Sequence, residues 1–281
     1  MISETSYNSA TLEALREKAR VIRVKALKEI ACAQSGHPGG SLSCADILAA
    51  LFFFKMRLNR EDPHWEGRDL FVLSKGHGAP ALYAVLSELG FVPEEDLCQL
   101  RQLGSNLQGH PDRNKTLGVD ASTGSLGQGL SMAVGMALSL RLDRSDRRVY
   151  VVLGDGEMQE GQVWEALLKA GNSGLDNLTV IVDANGLQLD NRVEAINDLS
   201  PLRAKGDAFK WETQEIDGHD MESILKALEK CDQRNGKPHM IVARTVKGKG
   251  VSFMENQVKF HGKAPSSEQL EKALQELSAD R

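Results

Sequence analysis

The 281-residue sequence predicts an α/β fold, a parallel sheet with helices on both faces. Three observations carry that prediction. Short strand-like runs recur at Leu70–Leu73, Val149–Leu153, Leu178–Val182, Trp211–Ile216 and His239–Thr245. Between them lie longer segments whose apolar residues return at helical spacing. The stretch Val149–Asp190 holds a complete strand, turn, helix, strand and turn, a unit that takes a right-handed crossover and leaves its strands parallel.

In chain order, Thr11–Ala33 places Leu12, Leu15, Ala19, Ile22, Ala26, Leu27 and Ile30 on one helical stripe, with Ser9 or Thr11 as its cap. It ends in the polar turn Ser35-Gly36-His37-Pro38-Gly39-Gly40, after which Ser41 or Ser43 should cap a helix running through Phe54. The strand Leu70–Leu73 leads to Ser74-Lys75-Gly76-His77-Gly78 and a helix over Ala81–Leu89, and Gln108-Gly109-His110-Pro111 follows. A lone loop histidine is most often a bystander, but three Gly-His turns set between regular elements are harder to read that way. Ala121–Gly129 is a small-residue loop opening the helix Leu130–Leu140. Its glycines either allow close helix packing or let main-chain amides reach a flat ring or a phosphate.

Val149–Leu153 has no polar residue, as befits a strand covered on both faces. Gly154-Asp155-Gly156 ends it; a helix over Gln162–Lys169, stopped by Gly171–Gly174, leads to Leu178–Val182 and then Asp183-Ala184-Asn185-Gly186. Parallel strands bring Asp155 and Asn185 out at one sheet edge, where open α/β sheets collect their ligands. A carboxylate and an amide oxygen are hard donors suited to Mg²⁺ or Ca²⁺, and glycine amides attract phosphate, so the residues alone predict a Mg-diphosphate site. Beyond it come a helix over Met221–Lys230, a Lys247-Gly248-Lys249-Gly250 segment without P-loop spacing, Phe260-His261-Gly262, and a polar amphipathic tail over Ser266–Arg281.

A net charge of −5 argues against a nucleic-acid surface, and the basic Arg141–Arg148 run, interleaved with aspartates, reads as a solvated helix end. Cys32, Cys44, Cys98 and Cys231 form no close pair and read as buried free thiols in a reducing cytosol. With no signal-peptide core and no apolar run of about 20 residues, the expectation is a cytoplasmic protein with no membrane partner.

Together these motifs resemble the transketolase family, and the match to its diphosphate-binding half covers essentially the whole chain. Gly154-Asp155-Gly156 followed by Asn185 is similar to the thiamine diphosphate fingerprint of a broad superfamily. The Ser-Gly-His-Pro-Gly-Gly, Ser-Lys-Gly-His-Gly, Gly-His-Pro, Thr123–Gly129 and His261-Gly262 segments narrow it to transketolase. The resemblance implies thiamine diphosphate and Mg²⁺, with Ca²⁺ or Mn²⁺ able to substitute. Asp155, the Asn185 side chain and the Leu187 carbonyl would hold the metal. Gly156, His77, His261 and Lys247 would meet the diphosphate, and Gly124, Ser125 and Leu126 the aminopyrimidine. His37, His110 and His261 would line the sugar channel, while Glu160 would relay protons at a subunit interface. The implied reaction moves a two-carbon ketol unit from a ketose, or ketose phosphate, to an aldose, or aldose phosphate. Residues 1–281 then read as one diphosphate-binding domain, with the pyrimidine-binding and C-terminal domains absent. That implies an N-terminal subunit needing a second polypeptide, in an α₂β₂ assembly. The α subunit of a 2-oxoacid dehydrogenase and 1-deoxyxylulose-5-phosphate synthase are rivals whose loops carry different histidine turns. A non-catalytic cofactor-binding subunit is the third.

Overall fold

The computed structural model describes residues 7–189 and 191–279; expectations touching residues 1–6, Asp190 and 280–281 lie outside them. Helix α1, Ser9–Ala33, buries the anticipated stripe, but its cap is Asn8, whose side chain accepts the Ala10 N–H at 3.0 Å. Neither Ser9 nor Thr11 caps it, because the chain is already helical at Ser9. The single helix expected to end at Phe54 is three pieces: α2 (Pro38–Ser43), α3 (Ala45–Ala50) and a wide π turn over Leu51–Lys55. Proline at the first turn starts α2 at Pro38, and the Ser41 hydroxyl donates back to the His37 carbonyl at 2.8 Å instead of capping.

Strand β1 (Leu70–Leu73) is followed by α4 (Ala79–Leu89) and α5 (Gln128–Leu142), then β2 (Val149–Gly154), α6 (Gly161–Ser173) and β3 (Leu178–Ala184). The chain continues through α7 (Val193–Asn197), α8 (Leu202–Ala208), β4 (Glu212–Asp217), α9 (Met221–Lys230), β5 (His239–Arg244) and α10 (Ser267–Ala279). The five strands form one parallel sheet in the order β1-β2-β3-β5-β4. Side chains alternate across it. Phe71, Leu73, Tyr150, Val152, Ile181 and Ile241 pack with α1, α3, α4 and α9, whereas Val72, Val151, Leu153, Val180, Val182 and Val242 pack with α5, α6 and α8. A third cluster seats α10 on α1 through Leu27, Phe260, Ala273 and Leu277.

One close approach sets a sharp requirement. A Cβ on Gly171, near the end of α6, would lie 1.9 Å from the Phe209 carbonyl oxygen behind α8. Gly171→Ala should therefore lower stability by about 1–3 kcal/mol through overpacking, read as a lowered denaturant midpoint at unchanged slope; an unchanged midpoint would sink this account.

Two sequence readings need correction. Cys32 and Cys98 are joined by a disulfide, with their Cα atoms 5.2 Å apart, and both are exposed; only Cys44 and Cys231 are buried free thiols. The end of α1 meets the short turn over Glu94–Gln99, a tertiary contact spanning 66 residues that spacing cannot reveal. The basic run does end α5, with Arg141 and Arg144 exposed as read, but two of its arginines are also tied to carbonyls. Arg148 donates to the Cys231 and Asp232 carbonyls at 2.6 Å each, and Arg141 to the Ser173 carbonyl at 2.6 Å. Among the described residues no helix is long and apolar enough to cross a membrane.

Candidate functional site

All five strands point their carboxyl ends to one edge, and three of the loops there are fastened by buried charges. Asp183, at the end of β3, accepts the Lys75 ammonium that follows β1, the Ser43 hydroxyl of α2 at 2.6 Å, and the Thr245 hydroxyl that follows β5. Lys75 also donates to the Gly40 carbonyl at 2.7 Å. Both side chains are inaccessible. Burial opposes each charge, but the pair outweighs it, holding Lys75 above and Asp183 below the ordinary values. Glu157 acts similarly on the other side: its carboxylate accepts the Ser74 hydroxyl after β1 and the main-chain N–H groups of Gly127 at 2.9 Å and Gly154 at 3.1 Å.

Beside this frame lie three hard oxygen donors. Asp155 is buried, and its two oxygens accept the N–H groups of Gly156 at 2.9 Å and Gly186 at 2.6 Å. It has no ion-pair partner among the described residues, and burial pushes its pKa up to about 6. The Asn185 Oδ1 accepts the Leu187 N–H at 3.1 Å, and the Leu187 carbonyl accepts the Lys247 ammonium at 3.0 Å. Each donor keeps a lone pair free while a hydrogen bond fixes its direction. A buried carboxylate without a cation, next to an amide and a carbonyl oxygen, fits a hard divalent metal. No group of three or more His, Cys, Asp or Glu that could hold a metal occurs among the described residues, so any metal here must rely on the amide and the carbonyl.

Three imidazoles line the same cavity as these residues. His37, His77 and His261 lie with ring centroids 5.3–5.4 Å apart. All three are held neutral near pH 7. Burial and then Arg101 push His37 down to about 4; burial and then Lys247 push His261 to about 3; burial and then Lys75 lower His77. Lys247 is itself pushed down to about 8, by burial first and by Lys75 next, and its ammonium donates to His261 Nδ1 at 2.8 Å. The backbone entering Lys247 is fixed by a further histidine: His219 accepts the Val246 N–H at 2.8 Å on Nε2 and so donates from Nδ1 to Asp46 at 2.7 Å. His110 packs on Gly124, where φ is +136° and an added Cβ would come within 2.8 Å of the imidazole, so that only glycine fits.

A cavity of about 380 Å³ collects His37, His77, His110, Gly124, Leu126, Asp155, Gly156, Glu160, Asn185, Leu187, Lys247 and His261. Ser125 does not line it: the residue is exposed, and its carbonyl accepts the Gln128 N–H at 3.3 Å as α5 begins. Sequence reasoning missed Lys75, Asp183, Glu157 and Gln188. Three are charged residues within or beside glycine turns that nonetheless end up buried; such a position is the only available signal. Gln188 offers a buried Oε1 without a hydrogen-bond partner, and that atom would lie 3.1 Å from a Cβ on Gly156.

Residues 15–280 match the family described as "Transketolase, thiamine diphosphate binding domain". The 6-deoxy-6-sulfo-D-fructose transketolase subunit of Clostridium sp. (strain MSTE9) is 45% identical over 95% of this chain and 97% of its own length. An apulose-4-phosphate transketolase subunit of Phocaeicola vulgatus is 42% identical, over 95% of this chain and 94% of its own. Among solved structures, transketolase from Leishmania mexicana superposes with a TM-score of 0.88 at 34% identity, covering 94% of this chain but only 41% of that longer one. The chain thus belongs to the transketolase family and carries its thiamine diphosphate binding domain.

Proposed function

We propose that this chain is the diphosphate-binding, N-terminal subunit of a two-chain transketolase, transferring a two-carbon ketol unit from a ketose, or ketose phosphate, to an aldose, or aldose phosphate, once joined to a C-terminal subunit. The observation that carries the reading is the Asp155 carboxylate, buried with no ion-pair partner among the described residues, in one cavity with Asn185, Leu187 and three neutral imidazoles. Near-complete coverage of relatives named as transketolase subunits supports the two-chain form.

In this reading Asp155, Asn185 Oδ1 and the Leu187 carbonyl hold Mg²⁺, and the Gly156 amide, His77 and His261 bind the diphosphate. Lys247, which donates to the Leu187 carbonyl and to His261, would supply positive charge to that anion. Its pKa of about 8 leaves it mostly charged at neutrality and ready to gain charge when phosphate arrives. Gly124 and Leu126 flank the aminopyrimidine. Bound thiamine diphosphate supplies the carbanion chemistry of the ketol transfer. His37, His110 and His261 hydrogen-bond sugar hydroxyls and hold protons at their ring nitrogens. Glu160, exposed at the start of α6, faces the partner's half of the site in an α₂β₂ assembly. The substrates carry a terminal anion, as the sulfo and phosphate sugars in the relatives' names do.

The test is reconstitution. Ketol transfer should require this chain, its partner subunit, Mg²⁺ and thiamine diphosphate together, and His37→Ala should reduce turnover of the complex by about 10²-fold or more. Full activity of this chain alone would refute the two-chain reading, and unchanged turnover in His37→Ala would favour a non-catalytic role. Affinity for Mg²⁺ with thiamine diphosphate also carries a pH signature. The metal takes the ionised Asp155, and a pKa of about 6 leaves that form predominant at pH 7 but scarce at pH 5, so binding should weaken about tenfold between them. Asp155→Asn, measured alongside by calorimetry, should lack that step.

A further inference from the structure

We propose that Arg101 is a positioning residue that holds His37 in its Nε2–H tautomer, so that the imidazole offers the sugar channel a hydrogen-bond donor and no base. This deepens the functional reading above and rests on it.

The guanidinium is fixed before it reaches the histidine. Arg101 sits in the left-handed region at φ 62°, its N–H bonded to the Leu107 carbonyl at 2.8 Å. Its side chain lies flat on Gly109, where an added Cβ would come within 3.0 Å of Nε. One terminal nitrogen donates to the Ser35 hydroxyl at 2.9 Å, and the other meets His37 Nδ1 at 3.4 Å. Arginine has donors and no acceptor, so Nδ1 must offer its lone pair, and the neutral ring carries its proton on Nε2. The opposite edge lies beside the His261 segment, where a Cβ on Gly262 would come 3.6 Å from Nε2, and His37 itself lines the cavity. The Cys32–Cys98 bond ties together the two segments that lead into His37 and Arg101. The same guanidinium disfavours the imidazolium of His37 and of His110, in both cases after burial. A ring that is neutral, occupied at Nδ1 and protonated at Nε2 can polarise a carbonyl or hydroxyl oxygen but cannot take its proton.

Long-range ¹H–¹⁵N spectra of the full chain, with His37 assigned by its substitution, should show the Nε2–H form in the wild type and a mixture of tautomers in Arg101→Met. In the reconstituted complex Arg101→Met should lower kcat/KM by roughly 10- to 100-fold, the usual range for loss of an orienting partner, with Arg101→Lys between it and wild type. His37→Gln, which keeps a donor and offers no base, should retain far more activity than His37→Ala. In the His37→Ala background, adding Arg101→Met should cost less than twofold. An unchanged tautomer in Arg101→Met, an additive double variant, or a loss confined to KM would overturn the proposal, the last by placing Arg101 on the substrate. Unchanged turnover in His37→Ala would instead sink the functional reading, while the spectra still decide the tautomer.

Discussion

Replacing Asp155 with asparagine is expected to abolish cofactor-dependent activity without weakening the fold. It removes the only charge among the three candidate metal donors, so affinity for Mg²⁺ with thiamine diphosphate should fall by more than the roughly 10- to 100-fold lost with a supporting residue, and ketol transfer by the reconstituted complex should fall with it. The effect on stability runs the other way. A carboxyl whose pKa rises from an ordinary 3.8 to about 6 in the folded chain favours folding only while protonated, and that contribution is lost as pH rises through 6. At pH 7 the metal-free protein therefore carries about 3 kcal/mol of unfavourable charge burial at this residue. Asp155→Asn should melt no lower than wild type in the absence of metal. A lowered melting temperature together with retained binding would show that the carboxylate serves the fold and not the ligand.

The second large effect concerns the ion pair beneath the cavity. Lys75→Met leaves Asp183 buried without a cation, and Asp183→Leu leaves Lys75 in the same position; loss of one partner of such a pair costs about 3–5 kcal/mol. For a chain of this size that corresponds to a drop of roughly 6–20 °C in melting temperature. The double variant Lys75→Met/Asp183→Leu should be less destabilised than either single change, because no charge is stranded. Calorimetry of the three variants decides it; a double variant as unstable as the sum of the two would contradict the electrostatic account. The contrast with Asp155 is instructive, since two aspartates that end neighbouring turns differ in whether the protein supplies their cation.

That contrast also marks how far the sequence was readable. The strands, the helices around them and the Gly-His turns follow from local signals, side-chain periodicity and glycine punctuation, and these recovered most of the cavity's lining. The misreadings arose where the deciding contact is distant. Nothing local says that Cys32 meets Cys98, that Asp183 takes Lys75, or that Arg148 ends on carbonyls after α9. The break of the expected helix at Cys44 is of the same kind: Pro38 starts α2 early, and Ser43 turns its hydroxyl to Asp183, more than a hundred residues away. Ser125, which the resemblance set beside the aminopyrimidine, lies outside the cavity lining of this chain, with its carbonyl accepting the Gln128 N–H where α5 begins.

Glu157 has a consequence for assembly. Because one carboxylate joins the ends of β1 and β2 to the start of α5, the segments bearing His77, Asp155 and Gly124 cannot rearrange separately. A partner chain thus meets a surface that is ordered beforehand, and little conformational entropy remains to be lost on association. Specificity between subunits can then be set by shape at the rim, and a mismatched partner would be rejected by poor fit, since the loops cannot adapt to it.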